Sequence, residues 1–272
     1  MQNRFTDRGY LQGEQYKGEE NLRARIRLHE QFSINPYGMQ RWIFDQLDLP
    51  SGRRDLLELG CGPGDLWALN RQRMPAEWRV TLTDLSFGMA RRACERLDDA
   101  NNWHFLETDA QAIPFDAERF DAVIANHMLY HVPDRAKALA EIWRVLKPGG
   151  RFFATTNGPD HLKEVDLLIR RYQPEQAPGS LHTGLGGGKN FDLENGVAQA
   201  QAWFKEVGVK RYEDALVVTE VEPLVAYVQS MIMHGLEDAS LAGLRAEIAN
   251  KIETEGAVRI QKDVGIIQGI KA

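Results

Sequence analysis

The chain has 272 residues, enough for one large α/β domain with a buried core. Its 43% apolar and 26% charged residues form an ordinary globular balance, which excludes disorder as the default. A net charge of -6 and a pI near 5.7 leave no basic surplus for a phosphate backbone, and the largest basic cluster (Arg23, Arg25, Arg27) is too small for a nucleic-acid surface. Cys61 and Cys94 lie far apart and form no C-x-x-C pair, so neither a disulfide framework nor a structural zinc site is expected. The polar first twenty residues lack an apolar signal core, and no apolar run approaches the roughly 18 residues of a membrane span. A cytoplasmic protein with no membrane and no nucleic-acid partner is expected.

Residues 1–18 show no period and read as an arm. A helical pattern starts behind Asn21, the predicted cap, with Leu22, Ile26, His29 and Phe32 or Ser33 on one face; after Pro36 a second helix carries Met39, Trp42, Ile43 and Leu47. Strands are expected at Leu56–Leu59, Val80–Thr83, Trp103–Leu106, Ala122–Ala125 and Phe152–Thr155. Helices fall between most of them, at Asp65–Met74, Phe87–Leu97 and Asp134–Leu146. The last has Asp134 as N-cap, a buried stripe of Leu139, Ile142, Trp143 and Leu146, and a Lys147-Pro148-Gly149-Gly150 stop. Alternating β and α implies a doubly wound, mostly parallel sheet with right-handed crossovers. Beyond residue 157 the rhythm breaks. A helix at His161–Tyr172 leads into a Pro/Gly-rich stretch, Gln173–Asn190, whose Gly184–Gly188 run reads as a flexible connection or as a lid over a substrate pocket. Leu193–Val207 looks helical, Val209–Tyr212 and Ala215–Thr219 look like strands, Pro223–Met233 and Ser240–Ile252 look like helices, and Val258–Ile270 alternates like a final strand.

The chemistry concentrates at three successive strand ends. Glu58-Leu59-Gly60-Cys61-Gly62-Pro63-Gly64 closes the first strand and opens a helix. Its glycines permit a sharp turn and close approach of a ligand to main-chain N–H groups. The G-x-G-x-G spacing is one residue shorter than the dinucleotide pattern, and Glu58 beside it would repel a pyrophosphate but suit a ligand bearing an ammonium and a sulfonium. Asp84 ends the second strand, where a carboxylate can accept both hydroxyls of a ribose; a helix-capping role is the plainer alternative. Asp109 ends the third, placed to accept from an adenine amine while the Ala110 N–H donates to the ring; a turn aspartate is the alternative.

LLELGCGPG, TDLSFGM, ETDAQAIPF, FDAVIANHMLYHVPD and VLKPGGRF together resemble the motifs of class I S-adenosylmethionine-dependent methyltransferases, in the small-molecule branch that includes the ubiquinone/menaquinone C-methyltransferases. The resemblance spans about residues 55–155. It implies a seven-stranded sheet in the order 3-2-1-4-5-7-6 with strand 7 antiparallel. A single domain is expected, made of an N-terminal helical cap (1–50), a cofactor-binding core (51–156), a lid-like insertion after strand 5 (157–207) and completion of the sheet (208–272). It further implies S-adenosylmethionine as cofactor, S-adenosylhomocysteine as product and a small-molecule methyl acceptor as partner. Glu58, Gly60, Cys61, Gly62 and Gly64 would then face the methionine part, and Asp84 the ribose. Leu85 and Met89 would flank the adenine, Asp109 and Ala110 would read its edge, and Asn126 and His127 would lie near the amino group and the methyl. The Asn/Asp-Pro-Pro-aromatic signature of enzymes that methylate nucleic-acid amines is missing, since Ala125-Asn126-His127-Met128 stands there.

Transfer from a sulfonium demands alignment and exclusion of water; a base is needed only for a protonated acceptor. His127 and His131 are the candidate bases, sharing a face if their turn is helical, and backbone bonding or cavity lining is the plainer role. Tyr130 reads as packing, and no metal site is expected, because the histidines lack a third ligand nearby. His182 has nothing to position it. Trp42, Phe32 and Tyr37 suit either an apolar acceptor pocket or ordinary core. Two other readings compete: a nicotinamide-dependent oxidoreductase, disfavoured by the glycine spacing and the lack of Tyr-x-x-x-Lys, and a non-catalytic binding module.

Overall fold

The computed structural model describes residues 19–97, 102–174, 190–232 and 235–272. The expected arm at 1–18, the glycine run at 184–188 and His182 lie outside them. The elements are, in order, α1 (Glu19–Phe32), α2 (Met39–Gln46), β1 (Arg54–Leu59), α3 (Asp65–Asn70), β2 (Trp78–Asp84), α4 (Phe87–Leu97), β3 (Trp103–Glu107), β4 (Phe120–Asn126), α5 (Arg135–Val145), β5 (Leu146–Asn157), α6 (Lys163–Tyr172), α7 (Asn195–Gln201), β6 (Lys205–Val218), α8 (Val221–Ser230), α9 (Asp238–Glu255) and β7 (Val258–Ile270). One-turn 3₁₀ helices occupy Arg71–Arg73 and Leu129–His131. The strands form a seven-stranded sheet in the order β3-β2-β1-β4-β5-β7-β6, parallel at β1–β2, β1–β4, β2–β3 and β4–β5. Strand β7 is antiparallel: Gly149 N–H donates to Lys271 O while Lys271 N–H returns to Gly150 O. Among the described residues no helix is long and apolar enough to cross a membrane.

The residues cluster into two compact units. One takes Tyr37–Thr156, Asn190–Tyr212 and Gly265–Ala272; the other takes the described parts of Met1–Pro36, Asn157–Lys189 and Glu213–Val264.

In the first unit β1 and β4 are near-continuous apolar runs, as strands covered on both faces must be. One face packs Leu57, Val123, Ala125 and Phe152 against Leu139 and Ile142 of α5; the other packs Leu56, Val80, Leu82 and Phe153 against Trp67, Ala93 and Ile43. Asp134 caps α5 as expected, its carboxylate accepting the Lys137 N–H at 3.0 Å. The expected stripe of α5 shifts: Ala138, Leu139, Ile142 and Val145 are buried, whereas Trp143 is exposed and lies under Lys271 Nζ, 4.0 Å from the ring centre. The helix also ends one residue sooner. Leu146 already pairs with Phe120, and Lys147–Gly150 form a bulge before Arg151 pairs with Ala122. Likewise α3 tightens to a 3₁₀ turn after Asn70, short of the expected Met74.

The larger correction is β6. Residues 205–218 are one strand, where a helix to Val207 and two short strands were expected. Helix α7 stops at Gln201, and Phe204 then stacks on Phe152 with ring centres 4.5 Å apart. Trp42 packs on Tyr212 at 5.4 Å, so core packing accounts for it.

In the second unit α1 begins at or before Glu19, so Asn21 lies inside the helix and caps nothing. Its buried face carries Leu28 and Phe32, while Ile26 is 43% exposed, a rotation from the predicted stripe. Leu28 and Phe32 join Val165 and Ile169 of α6 and Leu224 and Val228 of α8 in a core. Helix α8 runs Val221–Ser230, with Pro223 tolerated in its first turn. Asp214, on β6, is the unit's polar anchor. Its buried carboxylate meets Lys262 Nζ and Ser33 Oγ, and it accepts the Asn35 N–H at 3.1 Å. Burial alone would raise the Asp214 carboxyl, but the Lys262 and Ser33 bonds hold it below the usual carboxylate range. Its stabilising contribution is therefore present above the ordinary carboxylate value and is lost as pH falls through the lowered one. Asp214→Ala should lower stability by about 3–5 kcal/mol at neutral pH, because Lys262 stays buried after its carboxylate is gone. Thermal unfolding at neutral pH reads the loss, and an unchanged midpoint would contradict it.

Candidate active site

The glycine turn sits at the carboxyl ends of β1, β2 and β4, where doubly wound sheets bind ligands. Its glycines do separate work. Gly60 (φ +67) lets Met128 close in: a Cβ there would stand 2.7 Å from Met128 Cβ. Gly64 (φ +77) admits α4, with Leu97 at 3.1 Å and Ala93 at 3.3 Å from the position a Cβ would take. The turn is tied to β2 by the Cys61 N–H on Thr83 O at 2.9 Å and by Thr83 Oγ on Glu58 O at 2.9 Å. Cys61 is buried, and burial pushes its thiol up, so it stays protonated.

Asp84 is built into this turn. One carboxylate oxygen accepts the Gly62 N–H at 3.0 Å and the other the Ser86 N–H at 2.8 Å. Each oxygen keeps acceptor capacity for a further donor. Burial raises the Asp84 carboxyl despite both bonds. Leu85 is half-buried and Met89 buried at the start of α4.

Glu58 is 1% exposed. Its Oε2 accepts the Trp67 Nε1–H at 2.6 Å. Burial pushes the carboxyl up to about 8, opposed by the Trp67 bond, helped by the Asp84 and Asp65 charges and opposed again by Asn126. Among the described residues no lysine, arginine or histidine forms an ion pair with Glu58 or Asp84.

Asp109 accepts from the Gln111 N–H and from Gln111 Nε2, both at 3.0 Å, and Gln111 Oε1 takes the Asp134 N–H at 3.1 Å. Asp109 is thus a turn aspartate in its local bonding, with Ala110 buried behind it. Asn126 ends β4. Its Oδ1 accepts from Thr155 Oγ and its Nδ2 faces Gln40 Oε1 of α2 at 3.4 Å. His127 follows with φ 52, its N–H on Thr155 Oγ at 2.9 Å. Only Leu129–His131 form a turn, and it is 3₁₀, so His127 and His131 do not share a helical face. The Tyr130 ring lies 6.4 Å from the His127 ring and 4.4 Å from the His131 ring. Tyr37 is exposed and donates to Asp45 at 2.6 Å, and Phe32 belongs to the core of the other unit. Among the described residues no group of three His, Cys, Asp or Glu side chains could hold a metal.

Sequence reasoning did not find Trp67, Thr155, Gln40 or Gln111. Each orients a predicted residue from a neighbouring element, and no spacing rule marks such partners. The only signal was a tryptophan on an otherwise aliphatic helix face, nine positions after Glu58.

The donor set fits a cation that carries vicinal hydroxyls. A buried and a half-buried carboxylate with no ion-pair partner among the described residues favour a positive group, and the glycine turn leaves Gly62 with open space where a Cβ would stand. A pyrophosphate would meet both carboxylates and gain nothing.

Glu58 should leave a mark on stability. Its folded-state value lies above the ordinary 4.5, so its contribution is full below that value and is lost as pH rises through about 8. Glu58→Gln, neutral at every pH, should hold its thermal midpoint between about pH 6 and pH 9 while the native midpoint falls, by a difference on the order of a few kcal/mol. Parallel curves would assign the titration to another group.

Residues 57–154 match the family described as methyltransferase domain. The ubiquinone/menaquinone biosynthesis C-methyltransferase of Idiomarina loihiensis is 36% identical over 121 residues, covering 42% of this chain and 48% of that protein. The chain spans about half the length of the curated relatives it matches. Among solved structures, Haemonchus contortus phosphoethanolamine N-methyltransferase 2, in complex with S-adenosyl-L-methionine, superposes with a TM-score of 0.60 at 19% identity, covering 97% of this chain and 59% of that one. The YcgJ protein of Bacillus subtilis gives 0.53 at 17% identity, covering 85% and 97%. These structures share the fold. Over residues 57–154 the sequence is similar to methyltransferase domains.

Proposed function

We propose that the protein transfers a methyl group from S-adenosylmethionine to a small-molecule acceptor. The observation that carries this reading is the buried Glu58 carboxyl, held by Trp67, beside the half-buried Asp84 carboxylate, held by the glycine turn, with no ion-pair partner for either among the described residues. The cofactor supplies an electrophilic methyl on a positively charged sulfur. Glu58 and the Gly60–Gly64 turn receive its amino-acid end, and Asp84 accepts from the ribose hydroxyls. Leu85 and Met89 flank the adenine, Asp109 and Ala110 read its edge, and Asn126 and His127 border the methyl. Where the acceptor arrives protonated, His127 or His131 removes the proton. The branch of relatives matched over this segment is named for carbon methylation in quinone biosynthesis, which supports a small aromatic acceptor. The acidic composition supports an acceptor other than nucleic acid and a cytoplasmic setting.

Calorimetric titration with S-adenosylhomocysteine and, separately, with NADH tests the reading. S-adenosylhomocysteine should bind and NADH should not; the reverse would make the protein a nicotinamide enzyme. Asp84→Ala should raise the S-adenosylhomocysteine Kd by at least about tenfold, since it deletes a charge-assisted pair of acceptors. An unaltered Kd would place the ribose elsewhere. Transfer of labelled methyl into an aromatic small molecule separates the enzyme from a non-catalytic binding module.

A further inference from the structure

Trp67 has no exposed surface, yet its indole N–H goes to a carboxylate and not to the backbone. The ring is held edge-on by Phe44 at 6.2 Å and by Trp103 at 5.8 Å, so the direction of the N–H is fixed by packing on two sides. The indole N–H meets Glu58 Oε2 at 2.6 Å, a close contact that fixes which carboxyl oxygen it supports. The charged and titratable groups that face Glu58 are Asp84 from β2, Asp65 from α3 and Cys61 from the turn. Asp65 is itself engaged by Arg96. The supporting groups, Trp67 and Asn126, are neutral. A carboxylate with only neutral donors and acidic neighbours takes its counter-charge from an incoming ligand.

We propose that Trp67 is a positioning residue whose indole N–H orients the Glu58 carboxyl toward the ammonium end of the ligand and favours its ionised form there, so that ligand binding expels the Glu58 proton to solvent. This rests on the reading of the turn as an S-adenosylmethionine site. In the step the Glu58 O–H bond breaks, the proton passes to water, and the arriving ammonium replaces it as the positive partner. The unliganded carboxyl, raised to about 8, supplies a proton to lose at neutral pH. The indole donor favours the ionised form, so removing it makes that proton harder to expel.

The test is calorimetric titration with S-adenosylhomocysteine from about pH 6 to pH 8.5, in buffers of different ionisation heat, for the native chain, Trp67→Phe, Glu58→Gln and the double variant. Native affinity should rise with pH and binding should release a measurable fraction of a proton. Trp67→Phe should weaken binding about tenfold at pH 7 and move the rising limb up by about one pH unit. In the Glu58→Gln background the same change should alter affinity by less than about twofold. An equal loss in both backgrounds would show that Trp67 acts through packing alone and would overturn the proposal. Native binding without proton release would overturn it too, while leaving the cofactor reading intact; no native binding at all would overturn that reading and the proposal with it. Should Trp67→Phe not fold, the indole N–H resonance of ¹⁵N-tryptophan-labelled native protein decides. It should shift with pH near the Glu58 titration and again on adding S-adenosylhomocysteine, and a resonance that moves in neither case sinks the proposal.

Discussion

A buried and a half-buried carboxylate at one turn, without a counter-charge among the described residues, are the constraint around which the first unit is arranged. Burying a carboxylate is costly unless it is hydrogen-bonded, and leaving it without a cation is tolerable only at a group free to take up a proton. Glu58 meets this condition with an indole N–H, and Asp84 with two main-chain N–H groups. Trp67 lies on α3, which the glycine turn launches, Gly62 in the turn itself and Ser86 just ahead of α4. The left-handed backbone of the turn, the packing of α3 and α4 and the ends of β1 and β2 are therefore parts of one device. It fixes two carboxyl groups in space before any ligand arrives, which is what preorganisation requires.

On the far side of the turn, Thr155 organises the end of β4. Its hydroxyl donates to Asn126 and accepts from the His127 N–H, so one side chain on β5 sets both residues after β4. His127 keeps a left-handed backbone that non-glycine residues seldom adopt, and it does so under this bond and a second from its N–H to Thr155 O at 3.1 Å. Sheet register thus reaches directly into the loop that would face an acceptor.

Much of this was legible in the sequence because the sheet is buried on both faces. Leu56–Leu59 and Ala122–Ala125 are largely apolar runs between turn residues, and the acidic residues stand at the ends of β1 and β2 and just after β3. The edge was harder to read. Strand β6 closes the sheet, so Lys205, Glu206, Lys210, Arg211 and Glu213 face solvent along it and erase the apolar signal, as an exposed edge demands. Trp143 looked like core because aromatic residues usually are, but only one side of its ring meets the buried Lys271 ammonium and the residue stays exposed. The left-handed His127 and the 3₁₀ turn after it follow from Thr155, which lies 28 residues away, and no local pattern announces such a partner.

The contact between Gly60 and Met128 has a mechanical corollary. The side chain of Met128 occupies the space that any other residue at position 60 would fill, so the glycine bend and the histidine-bearing loop are in van der Waals register. Neither can shift by an ångström without displacing the other. A displacement on one side of the turn is therefore felt sterically on the other, through the packing of one methionine side chain.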